Sequence, residues 1–268
     1  MSTNSAAFTG SIPENYDTYL GPFLFDPYAA DLVERVNALP HAYILEIACG
    51  TGRVTQHLAD LPETSITATD LNADMIAYAQ TKVKQPHVEW KVADAQQLPF
   101  EDGVFDLVVC QFGFMFMPDK PKAFGEAFRV LKKGGHVLFN TWDRVENNLP
   151  AYISRQVVKA FFEGDPPVFY YTPFSMYDLA EIRSLLEEAG FNHISIELLH
   201  KQGTSPKAHD AARGFIKGNP IYLEIINRDP GSILTIEKQL TDELVRQLGD
   251  EPLTCRLSAI VSIAGKDH

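Results

Sequence analysis

The segment ILEIACGTGRVT (44–55) runs a short apolar stretch into a glycine-rich turn and then into residues of helical spacing. A strand that enters a helix through such a turn presents backbone N–H groups to whatever binds there, and Gly50 and Gly52 let a ligand approach the backbone closely. Asp70 follows 18 positions after Gly52, at the end of a second strand, where a carboxylate can accept both hydroxyls of a ribose. That pairing implies an adenosine-containing cofactor. A dinucleotide site needs a third glycine three positions after Gly52, so that helix and strand close tightly around a pyrophosphate. Thr55 stands there, which weighs against a nicotinamide-dependent oxidoreductase.

Histidine is the usual base near neutral pH. His41, His87, His136 and His193 precede or open predicted strands, at the end of the sheet away from the turn, and His57 falls in the helix after the turn. His200, at the carboxyl end of its predicted strand, His209, in a later polar segment, and Asp143 are the candidate general bases. No H-E-x-x-H, C-x-x-C or paired-carboxylate spacing occurs, so no metal is expected, and metal-dependent O-methylation of a catechol and glycoside hydrolysis are both unsupported. Cys49, Cys110 and Cys255 are odd in number, widely spaced and set among apolar residues. They suit a reducing cytoplasm rather than a disulfide framework.

These residues need a scaffold, and from about residue 41 short β-branched runs alternate with helical stretches, the pattern of βαβ units and a parallel sheet. The predicted strands are 42–48, 65–70, 88–94 and 105–113, with a fifth over 135–142 after a Gly134–Gly135 turn. Helices are predicted over 55–59, 73–83 and 120–131, with Asn72 and Asp119 as N-caps. A helix over 151–162 is broken by Pro166–Pro167. A further helix is ended by Gly190, strand 191–200 follows it, 204–250 reads as helical, and 254–266 restores an alternating strand.

The turn resembles the E-x-x-C-G-T-G loop of class I S-adenosylmethionine-dependent methyltransferases. The segments TATDLNADM, VADAQQLPF, FDLVVCQFGFMFMPD and EAFRVLKKGGHVLFNTWD then follow in that family's order. The resemblance covers roughly 40–143 and resumes at 176–200. The small-molecule branch, similar to the quinone-biosynthesis methyltransferases, matches best, because QLPF followed by FD, and LKKGG, are typical of it. The resemblance implies an α/β, doubly wound, Rossmann-like seven-stranded mixed sheet, six strands parallel and one antiparallel, with helical cap insertions. It places Glu46, Ala48, Gly50 and Gly52 around the methionine portion of the cofactor, Asp70 on the ribose, Leu71 beside the adenine and Met75 packed on the ring. Asp94 and Ala95 would read the adenine amino group, Gln111 would lie near the methionine ammonium, and Arg53 would reach the cofactor carboxylate or a surface acid.

Methyl transfer is an in-line displacement, so a dedicated base is optional. The acceptor belongs above the carboxyl ends of the fourth and fifth strands, near Phe112, Phe114, Phe116, Trp142 and Asp143, although FGFMFM would look the same as plain core. In this family the segment before the first strand commonly folds over the site. Tyr16 and Tyr19 would then be lid residues, Tyr16 also a candidate base, unless their spacing of three only staples that helix to the domain. The aromatic stretch 161–177, with Phe174, would cap a flat or apolar substrate or serve a dimer surface. The expected organisation is an N-terminal helical lid (1–40), a cofactor-binding core (41–143), an aromatic cap insertion (144–175), a continuation of the core (176–203), a helical insertion (204–252) and a closing edge strand (253–268).

The 268 residues, 45% hydrophobic and 22% charged, are ordinary for a globular chain able to build a large core. A net charge of -12 makes nucleic acid and anionic membrane poor partners. No apolar run reaches the ~18 residues of a membrane span, and the start lacks a signal-peptide pattern. The sequence therefore reads as a cytoplasmic monomer or homodimer that moves a methyl group from S-adenosylmethionine to an O, N or C atom of a small aromatic or apolar metabolite. The alternatives are a non-catalytic cofactor-binding regulatory protein and a nicotinamide-dependent oxidoreductase.

Overall fold

The computed structural model describes residues 7–267, so residues 1–6 of the predicted lid and His268 of the predicted closing strand lie outside it. Seven strands form one sheet: β1 (Tyr43–Ile47), β2 (Ser65–Asp70), β3 (Val88–Val92), β4 (Phe105–Gln111), β5 (Leu131–Trp142), β6 (Asn192–Ser205) and β7 (Leu253–Gly265). Their order is β3-β2-β1-β4-β5-β7-β6. β1 pairs in parallel with β2 and β4, β2 with β3, and β4 with β5, whereas β5 and β7 are antiparallel. Six strands are thus parallel and one is antiparallel, as the resemblance implied. The strand order reverses at β1, and in open sheets of this kind the crevice over the carboxyl ends of the strands at the reversal is where ligands bind.

The helices among the described residues are α1 (Ile12–Asn15), α2 (Asp26–Asn37), α3 (Arg53–Leu58), α4 (Ala73–Lys82), α5 (Lys120–Val130), α6 (Leu149–Phe161), α7 (Leu179–Ala189), α8 (Ala208–Lys217), α9 (Ile221–Arg228) and α10 (Ile233–Leu248). On one face of the sheet, Ile44, Ile66, Leu107, Val109 and Leu138 are covered by Leu32 and Val36 of α2 and by Val54 and Leu58 of α3. On the other face, Phe114 stacks on Phe124 of α5 at 4.2 Å and meets Phe139 of β5 edge-on at 5.1 Å. Residues paired across parallel strands point to the same side, so Ala68, Glu46, Val109 and Leu138 form one lateral row. Asp70, Gln111 and Asn140, each two residues further along its strand, continue that face to the carboxyl edge.

The chain divides into two compact units. The first holds Tyr28–Trp142, Met176–Leu199 and the chain from Ala259 onward; the second holds the described residues up to Pro27, Asp143–Ser175 and His200–Ser258.

Several local readings are corrected. The Gly134–Gly135 pair lies inside β5, where the register with β4 shifts, because a Cβ on Gly135 would sit 2.8 Å from the Asp106 carbonyl oxygen. Asn72 occupies the N-cap position of α4 without capping it; its side chain donates to Asp70 Oδ1 instead. Asp119 does cap α5, accepting the Lys122 N–H at 3.0 Å. α6 stops at Phe161, before the proline pair is reached. β6 runs on to Ser205, so His200 lies mid-strand rather than at a carboxyl end. Tyr16–Phe25 is a π-type helical run. Its i→i+5 bonding widens the turn, so a spacing of three no longer puts Tyr16 and Tyr19 on one face.

Candidate functional site

The turn after β1 is held in left-handed backbone at Ala48 (φ 54°), Gly50 (φ 54°) and Gly52 (φ 80°). The two glycines serve different ends. A Cβ on Gly50 would meet nothing within 4 Å, so the space above this residue is open to a ligand. A Cβ on Gly52 would lie 3.1 Å from Ala79 Cβ of α4 and 3.4 Å from Trp90, and the Gly52 N–H donates to the Cys49 carbonyl at 2.9 Å. Gly52 therefore permits close packing of helix and strand and does not open the turn toward a ligand, a correction to the sequence reading.

Asp70, at the end of β2, is 7% exposed. Its Oδ2 accepts the Gly50 N–H at 2.9 Å, and its Oδ1 accepts the Asn72 N–H at 2.8 Å and the Asn72 amide at 3.3 Å. Burial raises its pKa, and the backbone donors pull the other way. Each carboxylate oxygen has two lone pairs, so the group keeps capacity for further donors. Leu71, 58% exposed, forms an apolar flank next to it, and Met75 is buried in the first turn of α4.

Asp94, half-buried beyond β3, accepts the Gln96 N–H at 2.8 Å, and Gln96 Oε1 in turn accepts the Asp119 N–H at 2.9 Å. The QLPF segment (97–100), which follows Ala95, is clamped to α5. Glu126 accepts the Leu98 N–H at 2.7 Å, while Arg129 donates to the carbonyls of Phe100 at 2.7 Å and Leu98 at 3.0 Å. That clamp is the physical content of the motif.

Glu46, under the turn, is 2% exposed and accepts the Thr55 hydroxyl at 2.6 Å. Burial pushes its pKa up to about 8, the negative charge of Asp70 adds to the rise, and the Thr55 hydrogen bond opposes it. Thr55 is fully buried. It fills the place where a dinucleotide fold keeps a glycine, and its hydroxyl satisfies a buried carboxyl. Arg53 opens α3, half-buried.

Gln111 ends β4, half-buried, followed by Phe112 in left-handed backbone (φ 51°). Phe112 stacks on Trp142 at 4.0 Å, and Tyr28 meets both rings edge-on at 5.5 and 5.6 Å. Tyr28 also donates its hydroxyl to the Leu199 carbonyl at 3.2 Å. Phe112 and Trp142 thus touch each other, and Phe116 is half-buried nearby in sequence. Sequence reasoning missed Tyr28, because an aromatic residue in an N-terminal helix carries no sign of which strand ends it will meet.

The candidate bases fall in the second unit. Asp143 is tied within its own unit: its carboxylate accepts the Arg144 N–H at 2.7 Å, the Asn147 amide at 2.7 Å and the Ser258 hydroxyl at 2.9 Å. Its geometry fits a strap within that unit rather than a base. His200 is exposed beside Lys201 and Arg256. His209 is exposed in the first turn of α8, 3.6 Å from Glu237. Tyr16 stacks on Phe25 at 4.7 Å, Tyr19 lies beneath the Arg213 guanidinium at 5.4 Å, and Phe174 is half-buried. Among the described residues no cluster of three or more His, Cys, Asp or Glu side chains could hold a metal ion, and no helix is long and apolar enough to cross a membrane.

The first unit suits an adenosyl cofactor: an open glycine backbone, a buried acceptor carboxylate at the end of β2, an exposed apolar flank at Leu71 and a second clamped acid at Asp94. A methyltransferase-domain family model matches residues 45–139. Demethylmenaquinone methyltransferase of Listeria monocytogenes is 30% identical over 181 residues, covering 60% of this chain and 74% of that protein. The mitochondrial 2-methoxy-6-polyprenyl-1,4-benzoquinol methylase of Leishmania donovani is 36% identical over 120 residues, 37% of this chain and 42% of that protein. Among solved structures, phosphoethanolamine N-methyltransferase 2 of Haemonchus contortus shares the fold with a TM-score of 0.64 at 18% identity, covering 100% of this chain and 61% of that one.

Fold and site together define a Rossmann-like enzyme that uses S-adenosylmethionine. The chain belongs to the class I S-adenosylmethionine-dependent methyltransferases, in the small-molecule branch that includes the quinone-biosynthesis enzymes. That membership sets aside the regulatory and the nicotinamide readings.

Proposed function

We propose that this enzyme methylates an O or C atom of a planar, hydroxylated ring compound of the quinol type. The observation that carries the reading is the Phe112–Trp142–Tyr28 aromatic group at the carboxyl ends of β4 and β5, beside Gln111. The two relatives, a demethylmenaquinone methyltransferase and a benzoquinol methylase, support the same class. The bound cofactor supplies an electrophilic sulfonium methyl group.

In the proposal Asp70 accepts the ribose hydroxyls, Asp94 and the Ala95 N–H read the adenine edge, and Leu71 and Met75 flank the ring. Glu46, Ala48, Gly50, Arg53 and Gln111 serve the methionine end, with Gly52 holding the turn against α4. Phe112, Phe116 and Trp142 are assigned to the acceptor. Because three donors from its own unit tie Asp143 in place and His209 faces Glu237, positioning rather than a dedicated base carries the reaction. Buried free thiols at Cys49, Cys110 and Cys255 support a cytoplasmic setting.

Incubation with methyl-labelled S-adenosylmethionine and 1,4-naphthoquinol, the reduced form of 1,4-naphthoquinone, tests the reading. A labelled, singly methylated product is expected. No transfer to any quinol, with transfer to an aliphatic amine instead, removes the quinol assignment.

A further inference from the structure

Asn140 is fully buried, and neither its Oδ1 nor its Nδ2 has a hydrogen-bond partner among the described residues. Leaving a buried amide unpaired is costly, because each group loses its water without recompense. The residue lies on β5, in register with Gln111 on β4 and Val261 on β7, and its backbone carbonyl accepts the Phe112 N–H at 3.0 Å. It shares a sheet face with Asp70, Glu46 and Gln111, at the carboxyl edge, two residues before Trp142. Thr141 and Ser262, whose buried hydroxyls also lack partners among the described residues, point to the opposite face by the same alternation.

Its place along the row decides what it meets. Adjacent strands are about 4.8 Å apart, so Asn140 stands three strands, about 14 Å, from Asp70. In S-adenosylmethionine one methylene joins the sulfur to the ribose ring, so a ribose on Asp70 leaves the sulfonium about one strand away. In-line transfer requires the acceptor on the far side of the methyl group, toward β5. This step rests on the cofactor placement under Proposed function. A primary amide offers a donor and an acceptor side by side. Its complement is a ring edge with two adjacent hydroxyls, or a hydroxyl beside a carbonyl, and the Phe112–Trp142 pair suits the ring itself.

We propose that Asn140 is an acceptor-binding residue that selects planar acceptors carrying such a vicinal oxygen pair.

The test compares wild type with Asn140→Leu, of similar volume and without polar atoms. Three quantities are read: the melting temperature of the ligand-free protein, the affinity for S-adenosylhomocysteine, and the affinities of its complex for 2,3-dihydroxynaphthalene and 2,3-dimethoxynaphthalene. Wild type is expected to prefer the dihydroxy compound by about tenfold or more. The variant should lose that preference, keep S-adenosylhomocysteine affinity within about twofold, and melt no lower than wild type, since an unpaired buried amide has been removed. If the leucine variant does not fold, Asn140→Ala carries the same affinity comparison. A wild type that does not discriminate the pair overturns the proposal, and so does a variant that discriminates it equally well. 1,4-Naphthoquinol carries no vicinal oxygen pair, so its turnover tests the quinol reading alone and the two naphthalene compounds test Asn140 alone; either can fail while the other stands.

Discussion

Asp70 and Glu46 are two buried acids on one sheet face with different duties. Asp70 is propped by the Gly50 and Asn72 N–H groups, which orient it without exhausting its lone pairs. Asp70→Ala should weaken S-adenosylhomocysteine binding by ~1.5–3 kcal/mol, a loss of roughly ten- to 150-fold, read by calorimetry; unchanged affinity would take Asp70 out of the site. Glu46 sets a pH dependence. Its folded pKa of about 8 lies above the ordinary 4.5, so between those values the folded protein holds a proton that the unfolded chain has released. Stability therefore falls as pH rises through that window and levels off above it, and the raised pKa of Asp70 adds to the same slope. Glu46→Gln still accepts from Thr55 and carries no charge, so its melting temperature should decline less than that of wild type between about pH 5 and 8. A wild-type melting temperature that rises across this range would contradict the assignment. His200 and His209 are both exposed, and substituting either by alanine should leave methyl transfer within about threefold of wild type; a loss beyond about a hundredfold would make that histidine the base.

The elements around the turn are held by close contacts that only small residues allow. A Cβ on Gly113 would lie 2.6 Å from both Ala48 Cβ and Cys110 Sγ, so the chain leaving β4 is pressed against the turn leaving β1. Gly113→Ala should destabilise by about 1–3 kcal/mol through this overpacking, visible as a lower melting temperature. Some element boundaries were legible because their chemistry is local. Asp119 caps α5, and Gly190 closes α7 at φ 100° with the left-handed backbone that glycine tolerates. Others were not legible, because a tertiary partner outbid the local one. Asn72 has the chemistry of a cap, yet Asp70 takes its side chain. The Gly134–Gly135 pair reads as a turn, yet the Asp106 carbonyl makes it a bulge within β5.

At the scale of the whole molecule, a cofactor that binds the folded chain and not the unfolded one stabilises it by mass action. S-adenosylhomocysteine at about a hundred times its dissociation constant should add ~2.7 kcal/mol to stability, seen as a thermal shift, and NAD at equal concentration should add none. A shift with NAD alone would overturn the role given to Thr55. The sequence by itself determined the alternation of strand and helix, the glycine turn, Asp70 and Asp94 at strand ends, and the family, because those signals depend on order and spacing along the chain. Only the tertiary structure decided that Gly52 serves packing, that Asp143 is tied by three donors, that Tyr28 joins Phe112 and Trp142, and that Asn140 is buried without a side-chain partner among the described residues. Each of these depends on which side chains meet across strands and helices distant in sequence, and a residue's type does not reveal the neighbours that folding will bring to it.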